Sequence, residues 1–174
     1  MTVINWVRFQ SKRIKRRLVG QKPIHHRLVS SAMRLIELPD FGIFVDPQDA
    51  LIGDGILKRG DYEPHLSALI SRRLKPGQRF LDIGANVGYH TLTAAKKVGP
   101  KGRCLAVDLN PNNCALLRAS CEFNRFGHVE IHQKAAGATS GEITFFTPPN
   151  TGNSAVVSPH IRNILSQDPS MKDA

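Results

Sequence analysis

Short apolar runs alternate with amphipathic stretches along this chain, and the period of the pattern shifts between two and roughly 3.6. Residues 43–45 and 51–52 are apolar runs flanking Asp46-Pro47 and Gly53-Asp54-Gly55, a spacing that predicts small strands joined by turns. A helix is predicted next. Pro64 suits its first turn, Leu66, Leu69, Ile70 and Leu74 share one face, Arg72, Arg73 and Lys75 favour its C-terminal end, and Pro76-Gly77 stops it. Residues 80–83 read as a short buried strand running into a glycine turn, and residues 89–98 as a helix closed by Lys96, Lys97 and Gly99-Pro100. A second strand over 104–107 ends on Asp108. Asn110-Pro111 supplies an N-cap and a first-turn proline for a helix to about Phe123, and residues 129–133 form the third strand. Strand, helix, strand, helix, strand predicts an α/β domain whose parallel-sheet core has right-handed crossovers. A further strand is expected over 142–147. Pro148, Pro149, Gly152 and Pro159 then mark irregular chain, and residues 161–174 read as a frayed tail.

Composition adds limits. The 174 residues have room for one domain, and 41% hydrophobic with 22% charged residues is enough to build a core. No run approaches the roughly 18 to 20 apolar residues that cross a bilayer. Cys104, Cys114 and Cys121 have no C-x-x-C spacing and no signal peptide precedes them, so a cytoplasmic setting is expected. Cys114 and Cys121 are seven apart on a predicted helix, which suggests buried thiols. His25-His26 has no partner at zinc-ligand spacing, so no metal is expected.

The net charge of +10 is unevenly distributed. Residues 1–36 hold nine basic residues and no acidic one, which leaves fifteen basic and fourteen acidic residues in the rest, a net of +1. Residues 1–36 therefore read as a basic leader, separate from a domain over 37–160. Within it Val3, Val7, Ile14 and Leu18, with Trp6, lie roughly on one helical face, as in a helix resting on a membrane surface. A solvated leader is the plainer reading. Nucleic acid is the less favoured partner, because one short basic run lacks a reading module.

The sharpest chemical feature is Asp82-Ile83-Gly84-Ala85-Asn86-Val87-Gly88, placed where a strand hands over to a helix, the point at which open α/β sheets bind ligands. Gly84 and Gly88 leave room for close backbone approach. Asp108, twenty residues beyond Gly88 at the end of the next strand, is placed to accept both hydroxyl hydrogens of a ribose. The G-x-G-x-x-G spacing of dinucleotide sites is absent, and so is a G-x-x-x-x-G-K-[ST] loop. Asp82 would repel a diphosphate and attract an ammonium or sulfonium group, which points to S-adenosyl-L-methionine.

The segment from Phe41 to about Ser158, above all Gly60-Asp61-Tyr62-Glu63-Pro64, the run from Phe80 through Tyr89, and Val107-Asp108-Leu109-Asn110-Pro111, resembles the FkbM-type methyltransferases. These are class I, Rossmann-like, S-adenosylmethionine-dependent enzymes that mostly methylate hydroxyl oxygens. The resemblance implies that Asp82 and the backbone of Gly84, Ala85, Asn86 and Gly88 hold the methionyl part and that Asp108 binds the ribose. It also implies that Leu109 packs on adenine, with Lys134 and Ala135 near its edge. Asp108 stands where the family often has Glu. The family's fourth strand, with its Asp-x-Glu-Gly type motif, and strands five to seven have no counterpart here, so the sheet is expected to be incomplete: three core strands and an extra hairpin. The open edge beside residues 79–83 would then invite an oligomer or a covering partner.

The expected activity is methyl transfer to a hydroxyl of a small molecule, sugar or lipid-linked glycan. The alternative is an inactive methyltransferase-like fragment acting as a membrane-surface or interaction module. No catalytic base is named: His90 reads as a helix-surface or packing histidine. For Tyr62 and Glu63, contact with the cofactor stands beside plain capping and packing. Asn150 to Ser154 reads as an ordinary turn, with the mouth of a substrate site as the other possibility.

Overall fold

The computed structural model describes residues 25–30, 33–146 and 153–156. Its first layer is an antiparallel sheet of β1 (His25–Ser30), β2 (Met33–Glu37) and β3 (Gly42–Val45). Leu35, Ile36, Ile43 and Val45 are almost wholly buried there. Residues 25–30 and 33–36, assigned to the basic leader from their charge, are strand residues of this sheet. Seven of the leader's positive charges and the amphipathic pattern of Val3 to Leu18 lie outside the described residues.

Residues 51–52, expected as a strand, instead open helix α1 (Ile52–Arg59). The cause is local: the buried Asp49 carboxylate accepts the N–H groups of Leu51, Ile52 and Gly53 at 2.9, 3.0 and 3.1 Å, which satisfies amides that a helix start leaves orphaned. Helix α2 (Pro64–Arg73) forms as predicted, but only Ile70 of its apolar face is buried; Leu66 and Leu69 stay over 40% exposed.

The second sheet is parallel, in the order β4 (Arg79–Ile83), β5 (Arg103–Asp108), β6 (Val129–Gln133). Its crossovers are α3 (Tyr89–Val98) and α4 (Pro111–Asn124), close to the predicted bounds. Asn110 caps α4 by accepting the Asn112 N–H. Cys104, Ala106, Leu92, Ala94, Ala95, Val98 and Leu117 fill the space between helices and sheet. Helix α4 also closes the exposed edge of β3. The Asn124 side chain accepts from Gly42 N–H at 2.8 Å and donates to Gly42 C=O at 2.6 Å, and Ser120 accepts from Phe44 N–H at 2.9 Å. These side chains do for β3 what a neighbouring strand would do.

Among the described residues nothing covers the other face at β4, where Leu81 is 56% and Ile83 60% exposed, and β4 pairs only with β5. Within those residues this agrees with the open apolar edge expected beside residues 79–83. A two-residue pair, β7 (Phe145–Phe146) with β8 (Ala155–Val156), forms the extra hairpin, shorter than the strand predicted over 142–147.

Candidate functional site

The carboxyl ends of β4, β5 and β6 bring Asp82, the loop 84–88, Asp108, Leu109 and Lys134 to one edge of the sheet. The loop owes its path to three departures from ordinary backbone at alternate residues: Gly84 at φ +78°, Asn86 at φ +52° and Gly88 at φ +90°. Gly88 is needed for packing, since a Cβ there would run into Leu117 on α4. Gly84 is different, because nothing lies within 4 Å of where its Cβ would be. That position faces open space at the strand ends, as a cofactor loop requires.

All five backbone amides of the loop are spent inside the protein. Gly84 and Ala85 both donate to Val107 C=O, at 2.8 and 3.0 Å. Asn86 N–H donates to Asp108 Oδ2 at 2.7 Å, Val87 N–H to the Asn86 side chain at 2.7 Å, and Gly88 N–H to Ala85 C=O at 2.9 Å. A pyrophosphate site needs such amides pointing at the ligand. The loop is flanked instead by two carboxylates, Asp82 and Asp108.

Asp82 is the first of them. Burial pushes its carboxyl above the ordinary 3.8, against the stabilising effect of a 2.5 Å hydrogen bond from the Thr91 hydroxyl and of nearby His90; Asp108 adds a smaller upward push. A cation placed beside it would restore the ionised form. Asp108 is the second. It ties the site together: Oδ2 accepts from Asn86, and Oδ1 accepts from Asn110 N–H at 2.9 Å and from the Asn113 side chain at 3.3 Å. Lys134 N–H donates to the Asp108 carbonyl at 3.0 Å, which sets the end of β6 beside it. Leu109 is half-buried, while Lys134 and Ala135 are exposed.

Sequence reasoning did not find Thr91, Asn110 or Asn113 as parts of this site. An Asn or Thr in the first turns of a helix has several ordinary uses, and only the fold shows the Thr91 and Asn113 side chains bonded to Asp82 and Asp108, with Asn110 meeting Asp108 through its backbone N–H. Asn153 and Ser154, the described part of the polar 150–154 segment, also take part. Asn153 accepts from Asn86 at 3.3 Å and Ser154 from Asn110 at 3.1 Å, so these two residues border the loop. His90 packs against Tyr62 and Tyr89, each with ring centroids 5.7 Å away, and its Nε2 lies 2.8 Å from Glu63. A cleft lined by Asp40, Ser67, Tyr89 and Lys97 between α2 and α3 includes none of Asp82, Asp108 or loop residues 84–88. No helix among the described residues is long and apolar enough to cross a membrane.

Residues 61–141 match the family model of protein-L-isoaspartate(D-aspartate) O-methyltransferase. The chain is 34% identical over 125 residues to protein-L-isoaspartate O-methyltransferase 1 of Arabidopsis thaliana, covering 62% of this chain and 54% of that one. A 44-residue stretch is 50% identical to ribosomal RNA large subunit methyltransferase E of Sorangium cellulosum, covering 25% of this chain and 21% of the relative. Among solved structures, P. horikoshii TYW2 in complex with MeSAdo aligns over 66% of this chain and 40% of its own, at 16% identity and a TM-score of 0.49. The chain thus spans about half, or less, of the curated relatives it matches. The fold is α/β and Rossmann-like, of the class I methyltransferase type, and S-adenosylmethionine is the cofactor of that type. The matched model is that of the isoaspartate enzymes, a different branch from the FkbM-type family named from the motifs.

Proposed function

We propose that this chain is the cofactor-binding half of an S-adenosylmethionine-dependent O-methyltransferase. The observation that carries the reading is the glycine loop whose amides are all internally satisfied while two carboxylates, Asp82 and Asp108, flank it. Such a site suits a ligand that is cationic at one end and carries ribose hydroxyls at the other. When bound, the cofactor supplies a sulfonium-activated methyl group for in-line displacement by an acceptor oxygen. The protein's part is to bind and orient it, which for an already activated leaving group accounts for much of the acceleration. Asp82 takes the cationic methionyl end, the open space over Gly84 admits the ligand's close approach, Asp108 takes the ribose, and Leu109, Lys134 and Ala135 border the adenine.

Oxygen as the acceptor atom is common to the FkbM-type resemblance and to the isoaspartate O-methyltransferase match. We favour a hydroxyl of a small molecule or glycan, on the strength of the 60–64 and 80–89 motifs. Isoaspartyl protein and ribosomal RNA, named in the relatives, are the acceptors to be run beside it. A second reading is a non-catalytic interaction module. It is favoured by the bare face around Leu81 and Ile83, which no described residue covers.

The test is calorimetric titration with S-adenosylhomocysteine and, separately, NAD, repeated on Asp108→Ala with its folding checked by circular dichroism. Selective binding of S-adenosylhomocysteine that the substitution abolishes is the expected result. Binding of NAD in preference overturns the cofactor assignment. No binding by a folded sample leaves the interaction module as the reading.

A further inference from the structure

We propose that Glu63 is a further anionic contact for the cofactor, taking the ammonium of its methionyl end, and that His90 is the positioning residue that holds Glu63 for this. The inference rests on the cofactor reading above and adds residues to that same site.

Glu63 stands immediately before α2, as its N-cap residue, with φ +46° and ψ +66°. An acidic residue there ordinarily turns its side chain onto the first amides of the helix. Glu63 does not, since its side chain makes no capping bond. The carboxylate instead reaches across to α3, where Oε2 meets His90 Nε2 at 2.8 Å. A non-glycine residue in the left-handed region, giving up a cap to point elsewhere, is held in that orientation by what it meets.

His90 is built to do the holding. Its side chain is only 14% exposed, against 52% for Glu63, and its ring is wedged against Tyr62 and Tyr89. Tyr89 is fixed in turn by edge contacts with Phe41 and Tyr62. Nδ1 of His90 is buried without a partner. Nε2 is thus the ring nitrogen that meets Glu63, and the carboxylate stays half in solvent and able to accept further hydrogen bonds.

His90 is two residues past Gly88, and the next residue, Thr91, donates to Asp82 Oδ2 at 2.5 Å. Adjacent side chains in the first turn of α3 therefore hold two carboxylates: Asp82 at the end of β4 and Glu63 at the start of α2. The glycine loop leaves β4 at Asp82 and enters α3 just before His90. An amino-acid ammonium, with three donors to place, suits a site with carboxylates on two sides.

The experiment compares two ligands that differ in the amino-acid portion. S-adenosylhomocysteine carries it, and 5′-methylthioadenosine lacks it. Titrating both into the wild type, Glu63→Gln, Glu63→Asp, His90→Phe and His90→Gln, with circular dichroism to confirm folding, separates the role of Glu63 from general damage. Glu63→Gln and His90→Phe are each expected to weaken S-adenosylhomocysteine by about tenfold or more, with 5′-methylthioadenosine unchanged within about twofold. His90→Gln, which keeps a donor for the carboxylate, recovers most of the loss. Should Glu63→Gln not fold, Glu63→Asp shows the same split, since the shorter side chain retracts the carboxylate. Equal loss for both ligands, or no loss for S-adenosylhomocysteine, overturns the proposal while leaving the cofactor reading intact. A folded wild type that binds neither ligand overturns both.

Discussion

Gly84 and Gly88 occupy the same loop with nearly the same φ, yet alanine at the two positions is expected to act on different properties. At Gly84, with φ +78° and no atom within 4 Å of the added methyl, the only folding cost is backbone conformation. A left-handed L-residue costs about 1–2 kcal/mol, offset by about 0.4–1 kcal/mol because alanine restricts the unfolded chain. The net is about 1 kcal/mol or less, a fall in urea midpoint of about 0.5 M at a slope near 2 kcal/mol/M. At Gly88 the same backbone cost applies, and the methyl also lands within 2.9 Å of Leu117 Cγ and closer still to its Cδ1. Leu117 is 1% exposed and has nowhere to turn, so overpacking adds about 1–3 kcal/mol. The total of about 2–4 kcal/mol is a large part of a domain's usual stability, and the midpoint should fall by about 1–2 M. Binding should run the other way. The Gly84→Ala methyl occupies the space through which a ligand approaches, and S-adenosylhomocysteine affinity should drop by about tenfold or more under conditions where the variant is folded. Urea titrations and calorimetry on the pair give both readings. Equal midpoint shifts, or a Gly84→Ala protein with unchanged affinity, would refute the division of labour within the loop.

Three other outcomes are expected. Because burial holds the folded Asp82 carboxyl above its unfolded value, its ionised form opposes folding; this opposition is complete above the raised value and absent below the ordinary carboxylate range. Wild-type stability should therefore rise relative to Asp82→Asn as pH falls through that value, while affinity for a cationic ligand weakens over the same window; chemical denaturation and titration at pH 4 to 7 check both, and a pH-independent difference between the proteins contradicts the burial effect. Asn124→Ala leaves both polar groups of Gly42 without their partner and should cost about 1–3 kcal/mol; a change under about 0.5 kcal/mol in urea unfolding would mean that water serves that edge equally well. The three cysteines are buried, with burial pushing the thiols of Cys104 and Cys121 up to about 11 and about 12; a disulfide reagent at pH 8 should label none in the native protein and all three in urea, and rapid native labelling of any one would contradict the packing.

The sequence by itself determined the parallel unit. The predicted positions of β4, α3, β5, α4 and β6 agree closely with those observed, because each is bounded by residues whose effect is local: Pro76-Gly77, the glycine turn, Gly99-Pro100 and the Asn110-Pro111 cap. The same locality made the loop and its two aspartates legible, since a ligand site at the strand ends follows from the order of elements. Tertiary structure decided what depends on residues far apart in sequence. It brought residues 25–30 and 33–36, which their charge had assigned to a leader, into a sheet whose β3 edge is closed by Asn124 and Ser120, 82 and 76 positions beyond Gly42 and Phe44. It also left Leu66 and Leu69 exposed on a helix whose periodicity had promised a buried face. An apolar stripe records a capacity to be buried, whereas burial itself needs a surface opposite, and periodicity carries no information about that surface. Glu63 and His90 show the same limit: 27 residues apart, they become a pair only when α2 and α3 pack together.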